Sequence, residues 1–380
     1  MKVLHVIDYL SKEGGAERHL AQVAQYLAGR GVQQRVVQLY EDATSNEPDF
    51  ALCGVAVERL KLRHSLLRLP AAFSPLLQAA REFCPDVLTT QMGMSDIVGR
   101  LAARRLGLPS VSTWQNTTYD TVTSADKPLR VRAAKLVARA LERLSAGREA
   151  RFIGVSKSVR DSYCRAIFVA PELCRVIGNS VDLGRFADLT RRAQAGPLRL
   201  VNVGRHIPNK GLDTLIEALA LLPRDLEVVV EQFGTGPLTG SLQDLARRRG
   251  VEARIHWRGH EVEIPRFLAQ ADAFVLPSRR EGLSLAYLEA LACGLPVIAS
   301  DIPSNKEVDP NGAASLFFQE GRPRALADRI EALGRDPALR RRLAGETRAV
   351  VEPYTIDAIG RRNYEFLLEL ATTKTARTKA

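Results

Sequence analysis

Hydrophobic and polar positions along this chain fall into two rhythms. Short apolar runs predict strands near Val3–Ile7, Val32–Tyr40, Val55–Leu60, Asp86–Thr90, Pro109–Thr113 and Phe152–Ser156. A second series covers Leu198–Val203, Glu227–Val230, Ile255–Gly259, Ala273–Leu276 and Val297–Ala299. Between them, apolar residues recur three and four apart, as in Leu20, Val23, Ala24 and Leu27, in Ile97 to Leu106, and in Leu212, Leu215, Ile216 and Leu219. Alternation of strand and helix predicts parallel, doubly wound sheets. The polar stretch Arg191–Pro197 reads as a linker. Residues 1–190 and 191–353 are therefore expected as two domains, followed by a last helix over 354–372 and a polar, basic tail over 373–380, which we expect to be disordered.

The densest stretch is Ala271–Ser300, ADAFVLPSRREGLSLAYLEALACGLPVIAS. Pro277 stops an apolar run and Ser278 to Gly282 are loop-like. Ser284 stands where an N-cap belongs, and Leu285, Leu288, Leu291 and Ala292 have helical spacing. Gly294 and Pro296 end that helix. A helix start after Gly282, through Leu283 and Ser284, offers unpaired N–H groups and a partial positive charge, which suit an anion such as a diphosphate. Glu281 lies just before that end. Glu289 follows inside the helix, beside Ala and Leu, where a carboxylate needs partners; sugar or ribose hydroxyls donate to both of its oxygens. The plainer readings are a solvated charge for Glu281 and an arginine partner for Glu289. The coincidence of carboxylates, glycines and a strand-to-helix loop favours a nucleotide-sugar site.

Other loops carry related chemistry. Arg205 and Lys210, flanked by Gly204 and Gly211, stand five residues apart before a helix, as a phosphate clamp would: a bidentate fork and a compact charge. Two exposed loop cations are the plainer alternative. Ser11–Arg18 (SKEGGAER) reads as the loop into the first helix, with Gly14 and Gly15 permitting close backbone approach. It lacks the GxGxxG pattern, which weakens a dehydrogenase reading. Thr113–Thr117 (TWQNT) follows a strand at its carboxyl end, where open α/β sheets place ligands. His256 and His260 have no metal-binding spacing.

Composition narrows the choice. A chain of 380 residues has room for two domains, and 46% hydrophobic with 26% charged residues is ordinary for a globular protein. No apolar run approaches the roughly 20 residues of a membrane span. Asp8 interrupts the opening MKVLHVIDYL, which reads as a first strand rather than a signal peptide. Five scattered cysteines without CxxC spacing suit a reducing cytoplasm rather than a zinc site or disulfide framework. A net charge of +11 invites a polyanion. Across Lys127 to Arg151, Arg132, Lys135, Arg139 and Arg143 recur opposite Ala133, Leu136, Val137, Ala140, Leu141 and Leu144, giving an amphipathic helix with a basic face. A solvated surface face is the plainer reading. The sharper one is contact between this helix (130–151) and an anionic membrane surface, at about 1 kcal/mol per basic residue. Aromatic interleaving is sparse, so nucleic acid is not expected as a partner.

Taken together, the Glu281-to-Glu289 element, the GGAER loop, the GRHIPNKG loop and the Asn179–Asp182 turn (NSVD) resemble the signatures of family-4 retaining glycosyltransferases with the GT-B fold. The resemblance implies two Rossmann-like domains facing each other across a cleft, with a C-terminal helix from about Tyr354 to Leu370 crossing back to the first. It implies a donor-binding set of Gly14, Gly15, Gly204, Arg205, Lys210, Gly234, Arg258, Glu281, Gly282, Leu283, Ser284 and Glu289. Gly234 belongs to a turn (FGTGP) found at this point in the family, and Arg258 to a strand that borders the base. Arg205, Lys210, Glu281 and Gln115 are the implied catalytic residues. Relatives commonly carry His at the Gln115 position and at that of Gln91; Gln can hydrogen-bond there but cannot titrate.

The implied function is retaining transfer from a nucleoside-diphosphate sugar, UDP- or GDP-linked, to a glycolipid or polysaccharide-precursor acceptor in cell-envelope glycan synthesis. No Asp-x-Asp occurs, and neither a metal nor a cofactor beyond the donor is expected. Same-face attack, with the leaving phosphate taking the acceptor proton, needs no protein nucleophile. The expected location is cytoplasmic, with peripheral contact at the inner face of the membrane. The main rival is a GT-B nucleotide-sugar-binding regulatory protein whose catalysis is impaired at Gln115; an epimerase of the same architecture stands third.

Overall fold

The computed structural model describes residues 1–11, 14–41, 47–62, 69–117, 129–147, 149–187, 189, 196–260 and 264–378. Lys12 and Glu13 of the first glycine loop, Lys127, and the expected linker up to residue 195 lie outside them. The chain divides into two units, Met1–Ser180 with Ile356–Ala380, and Val181–Thr355.

In the first unit, β1 (Lys2–Ile7), α1 (Gly15–Ala28), β2 (Gln33–Tyr40), α2 (Glu47–Ala51), β3 (Ala56–Leu62), α3 (Leu69–Phe83) and β4 (Val87–Gln91) are followed by α4 (Gly93–Leu106), β5 (Ser110–Trp114), α5 (Leu129–Ser145), β6 (Ala150–Gly154), α6 (Lys157–Ile167) and β7 (Cys174–Val176). The sheet order is β3-β2-β1-β4-β5-β6-β7. All of its pairings are parallel, and Val6 of β1 registers with Val37 and Thr90. Successive β1 side chains feed opposite faces: Leu4 and Val6 pack with Leu76, Ile97 and Val98, whereas Val3 packs with Leu27, Ile359 and Phe366.

The second unit runs α7 (Gly184–Ala187), β8 (Leu198–Val203), α8 (Leu212–Ala220), β9 (Val228–Phe233), α9 (Thr239–Arg248), β10 (Ile255–Gly259), α10 (Ile264–Ala269), β11 (Ala273–Leu276), α11 (Leu285–Ala292), β12 (Val297–Ser300), α12 (Pro303–Val308), β13 (Ser315–Phe318), α13 (Pro323–Arg335) and α14 (Pro337–Val351). Its sheet, β10-β9-β8-β11-β12-β13, is also parallel throughout. The last helix, α15 (Ile356–Thr378), returns to the first unit and packs on α1. It runs past Leu370, so residues 373–378 continue the helix instead of forming a disordered tail.

Helix α1 starts at Gly15, inside the stretch read as loop; Gly14 is its N-cap and Glu17 and Arg18 are already helical. Helix α5 carries the apolar stripe that its spacing predicts, but Ala133, Leu136, Val137, Ala140 and Leu144 of that stripe are exposed, and of the set only Leu141 packs on the core. The inward face is polar. Arg100 of α4, itself 2% exposed, donates from Nη2 to Glu142 Oε2 at 3.2 Å and to Ser145 Oγ at 2.9 Å, and from Nη1 to Ser112 Oγ at 2.8 Å. Thr90 Oγ1 extends this network to Asp96 Oδ1 at 2.5 Å. Burial pushes the Asp96 carboxyl up to about 7, with the Arg100 guanidinium opposing it. A buried arginine thus dictates which side of α5 faces in, since leaving its charge unmatched would cost more than exposing leucines.

Candidate functional site

The order of the second sheet reverses between β8 and β11, the kind of position where parallel α/β sheets bind ligands at their carboxyl ends. The loops leaving these two strands touch. Gly211 has φ +61°, and a Cβ there would lie 2.0 Å from the Pro277 carbonyl oxygen, so this residue must be glycine for the loops to meet. Arg279 N donates to Asn209 O at 2.8 Å, and the Arg279 guanidinium takes both Asp213 oxygens at 2.8 and 2.6 Å. Burial raises the Asp213 carboxyl, but the Arg279 bonds outweigh it and hold the group below its usual range. A third loop joins from β9: at Gly234, φ +108°, a Cβ would fall 2.2 Å from Gly204 O.

Within this frame Lys210 Nζ donates to Glu281 Oε1 at 2.6 Å, and Ser278 Oγ donates to the same oxygen at 2.6 Å. The Lys210 stem lies along Gly204, whose Cβ would be 3.4 Å from Lys210 Cδ. Arg205 is exposed and, among the described residues, makes no ion pair. Ser284 caps α11, its Oγ accepting from Tyr287 N at 3.4 Å. Gly282 and Leu283 therefore lead directly into a helix start, as the sequence pattern expects. Glu289 is buried in α11, with Arg185 Nη1 3.8 Å from Oε1. Arg258, on the edge strand β10, donates from Nε to Glu231 Oε2 at 2.6 Å. Burial raises the Glu231 carboxyl; bonds from Arg258 and His256 reverse that and hold it low.

Gly14, Gly15 and Gln115 belong to the first unit. The two glycines begin α1, and Gln115 follows β5 at the carboxyl edge of that sheet. Gln115 Nε2, Trp114 Nε1 and Gln91 Oε1 are buried without a hydrogen-bond partner among the described residues, and Gln91 registers with Thr113 across neighbouring strands. Unpaired buried polar atoms at the end of a parallel sheet are what a polar ligand satisfies. Nearby, Asp8 at the end of β1 accepts from Ser95 N at 2.7 Å and Met94 N at 3.2 Å, capping α4, whose own N-cap Met92 supplies no side-chain bond. Burial pushes the Asp8 carboxyl up to about 8 despite these bonds.

Sequence reasoning passed over Ser278, Arg279 and Arg185, whose roles depend on partners brought in from other loops. It also passed over Arg280, whose buried Nη1 has no partner among the described residues. The arginines gave a signal only as loop cations beside Glu281 or the NSVD turn. Among the described residues no group of three or more His, Cys, Asp or Glu side chains is placed to hold a metal ion, and no helix is long and apolar enough to cross a membrane.

Two family descriptions match, and between them they take in most of the chain: Glycosyltransferase Family 4 over residues 13–185 and Glycosyl transferases group 1 over residues 191–357. The chain belongs to the family-4 glycosyltransferases of GT-B fold. The lipopolysaccharide core biosynthesis glycosyltransferase LpsE of Rhizobium meliloti is 29% identical over 358 residues, covering 90% of this chain and 92% of LpsE. The Escherichia coli UDP-Gal:alpha-D-GlcNAc-diphosphoundecaprenol alpha-1,3-galactosyltransferase is 31% identical over 236 residues, 58% of this glycosyltransferase and 59% of that one. Among solved structures, Anabaena Alr3699/HepE in complex with UDP superposes with a TM-score of 0.81 at 21% identity, covering 97% of this chain and all of that one. At that identity the likeness carries the GT-B fold of this glycosyltransferase.

Proposed function

We propose that this glycosyltransferase is a retaining enzyme that moves a sugar from a UDP- or GDP-sugar to a glycolipid or polysaccharide-precursor acceptor of the cell envelope, at the cytoplasmic side of the membrane. The observation that carries the reading is the Lys210–Glu281 contact across the β8 and β11 loops, with Arg205, exposed on the loop that carries Lys210, in no ion pair among the described residues. The bond between the sugar's anomeric carbon and the diphosphate oxygen breaks, and Arg205, Lys210 and the α11 start take up the charge leaving with the diphosphate. The acceptor hydroxyl bonds to the same face of the sugar, and its proton passes to the departing phosphate oxygen. No metal is assigned a role in this scheme. Glu281, oriented by Ser278 and Lys210, accepts hydrogen bonds from sugar hydroxyls; Glu289 does so from sugar or ribose. Gln115 contributes a hydrogen bond and no proton transfer. Names of the bacterial relatives, one a lipopolysaccharide core enzyme and one acting on a polyprenol diphosphate, support the envelope acceptor.

The test is binding and slow hydrolysis across a panel of UDP-, GDP- and ADP-sugars, for wild type and Glu281→Ala. Saturable binding of one donor, with hydrolysis reduced about a hundredfold or more in the variant, is expected, and product anomericity by NMR reports retention. Binding without turnover in the presence of acceptors would overturn transfer and favour the regulatory role that Gln115 suggests.

A further inference from the structure

Two of the five cysteines that look scattered in the chain meet in the fold. Helix α6 ends at Phe168, whose backbone is left-handed (φ +54°), and Val169 N donates to Cys164 O at 3.2 Å. The chain reverses there, passes through a single 3-10 turn at Pro171–Leu173, and enters β7 at Cys174. The reversal brings Cys174 Sγ to 3.3 Å from Cys164 Sγ. A disulfide bond is about 2 Å long, so closing one takes about 1.2 Å of travel shared between two side chains. Neither residue is sealed from solvent: Cys164 is 7% and Cys174 8% exposed, room enough for a small oxidant.

The two sulfurs are not equivalent. Burial pushes both thiols up. At Cys164 the bond from Cys174 opposes burial, because a neighbouring S–H steadies a thiolate; at Cys174 the same contact adds to burial. The Arg160 guanidinium favours the thiolate at both. Cys164 is therefore the sulfur that ionises first, and the thiolate is the form that an oxidant attacks.

We propose that Cys164 and Cys174 are a reversible oxidation site, a dithiol that hydrogen peroxide converts into an intramolecular disulfide stapling α6 to β7. The Cys164 thiolate bonds to one peroxide oxygen, the O–O bond breaks, and the departing hydroxide takes a proton to become water. Cys164 is now a sulfenic acid, oxidised by two electrons. The Cys174 thiolate then bonds to Cys164 Sγ, the S–OH bond breaks, and that hydroxide leaves as a second water with the proton Cys174 gave up. Two thiols and one peroxide yield one disulfide and two waters. In a reducing compartment the pair stays a dithiol and closes only when an oxidant is present. Neither cysteine is assigned to sugar transfer, so the site stands apart from that reading.

The experiment treats the reduced full chain with hydrogen peroxide, blocks remaining thiols with N-ethylmaleimide in denaturant, and maps tryptic peptides. Cleavage after Arg160, Arg165 and Arg175 puts the two cysteines on separate fragments. The expected product joins those fragments with neither cysteine alkylated, and dithiothreitol splits it. Calorimetry should show the first unit of the oxidised chain melting roughly 5–10 °C higher, reverting on reduction. In Cys174→Ser, dimedone should trap a sulfenic acid at Cys164; Cys164→Ser should leave Cys174 largely unmodified. Melting of the reduced variants controls for folding, and the wild-type map decides the link without them. Both cysteines alkylated after exposed Cys84 has been oxidised would overturn the proposal. So would a sulfinic acid at Cys164 beside a free Cys174, or a link from either to a second chain. A link that forms without raising the melting temperature would overturn the staple.

Discussion

Gly211→Ala tests whether the loop contact at β8 and β11 holds the site together. The new Cβ would meet Pro277 O at 2.0 Å and its carbonyl carbon at 3.0 Å, both backbone atoms that cannot rotate away. Comfortable carbon–oxygen separation is about 3.3 Å, so the loops must part by about 1 Å. Alanine at φ +61° adds about 1–2 kcal/mol of left-handed strain. Parting the loops also stretches the Arg279 N to Asn209 O bond and the Lys210–Glu281 contact, worth about 1 and about 1.5–3 kcal/mol. The sum is about 3.5–6 kcal/mol, or a fall of roughly 10–20 °C in the melting of the second unit. Scanning calorimetry with and without the nucleotide of the donor that the panel identifies, followed by titration with it, reads both consequences: a lower transition and weakened nucleotide binding. Gly240→Ala is the control. Nothing lies within 4 Å of its Cβ position in the first turn of α9, so it should stabilise by about 0.5–1 kcal/mol. If Gly211→Ala melts within a degree or two of wild type and binds that nucleotide equally well, the contact does not organise the site.

Two further predictions concern buried charge in the first unit. Asp8 keeps its proton in the fold up to about pH 8, whereas an ordinary aspartate ionises near 4, so its contribution to stability falls as pH rises through that window, at up to about 1.4 kcal/mol per unit. Asp8→Asn should therefore show a shallower decline between pH 5 and 8 in urea titrations, the remainder coming from Asp96; an unchanged slope would mean that Asp8 is ionised in the fold. Glu142→Leu should cost about 3 kcal/mol by leaving Arg100 uncompensated, while Arg100→Met/Glu142→Leu should recover most of the loss. Additive costs in that denaturation cycle would count against the pair as the anchor of α5.

Much of the strand framework could be read from the chain because parallel strands buried on both faces show as apolar runs. β8, β10 and β11 have the bounds expected from pattern, and the Ser284 cap and α11 follow from spacing. Helix starts were harder. α4 begins at Gly93, not near Ile97, because its cap comes from Asp8, which accepts from backbone groups 86 and 87 positions away in the chain. Apolar periodicity finds the stripe of α5 but does not say which side faces in, since periodicity carries no information about a buried Arg100. The one hint was a single glutamate among arginines on α5. At the candidate site, Glu281, Lys210 and Arg205 stand out as residue types at particular spacings. Ser278, Arg279 and Arg185 do not, because each acts through a partner from a distant loop.

The return of α15 to the first unit has a consequence for synthesis. Ile359, Phe366, Leu367 and Leu370 share a core with Val3, Val23 and Val87, so β1 gains part of its hydrophobic cover only from a segment made after the whole second unit. At about 5–20 residues per second, residues 181–355 take roughly 10–35 s to translate. During that interval the N-terminal sheet is complete in strands but bare along one apolar flank. The second unit, continuous in sequence, can fold while the first still lacks its closing helix. Chaperone dependence and degradation of truncated chains should accordingly centre on the half of the protein that is made first.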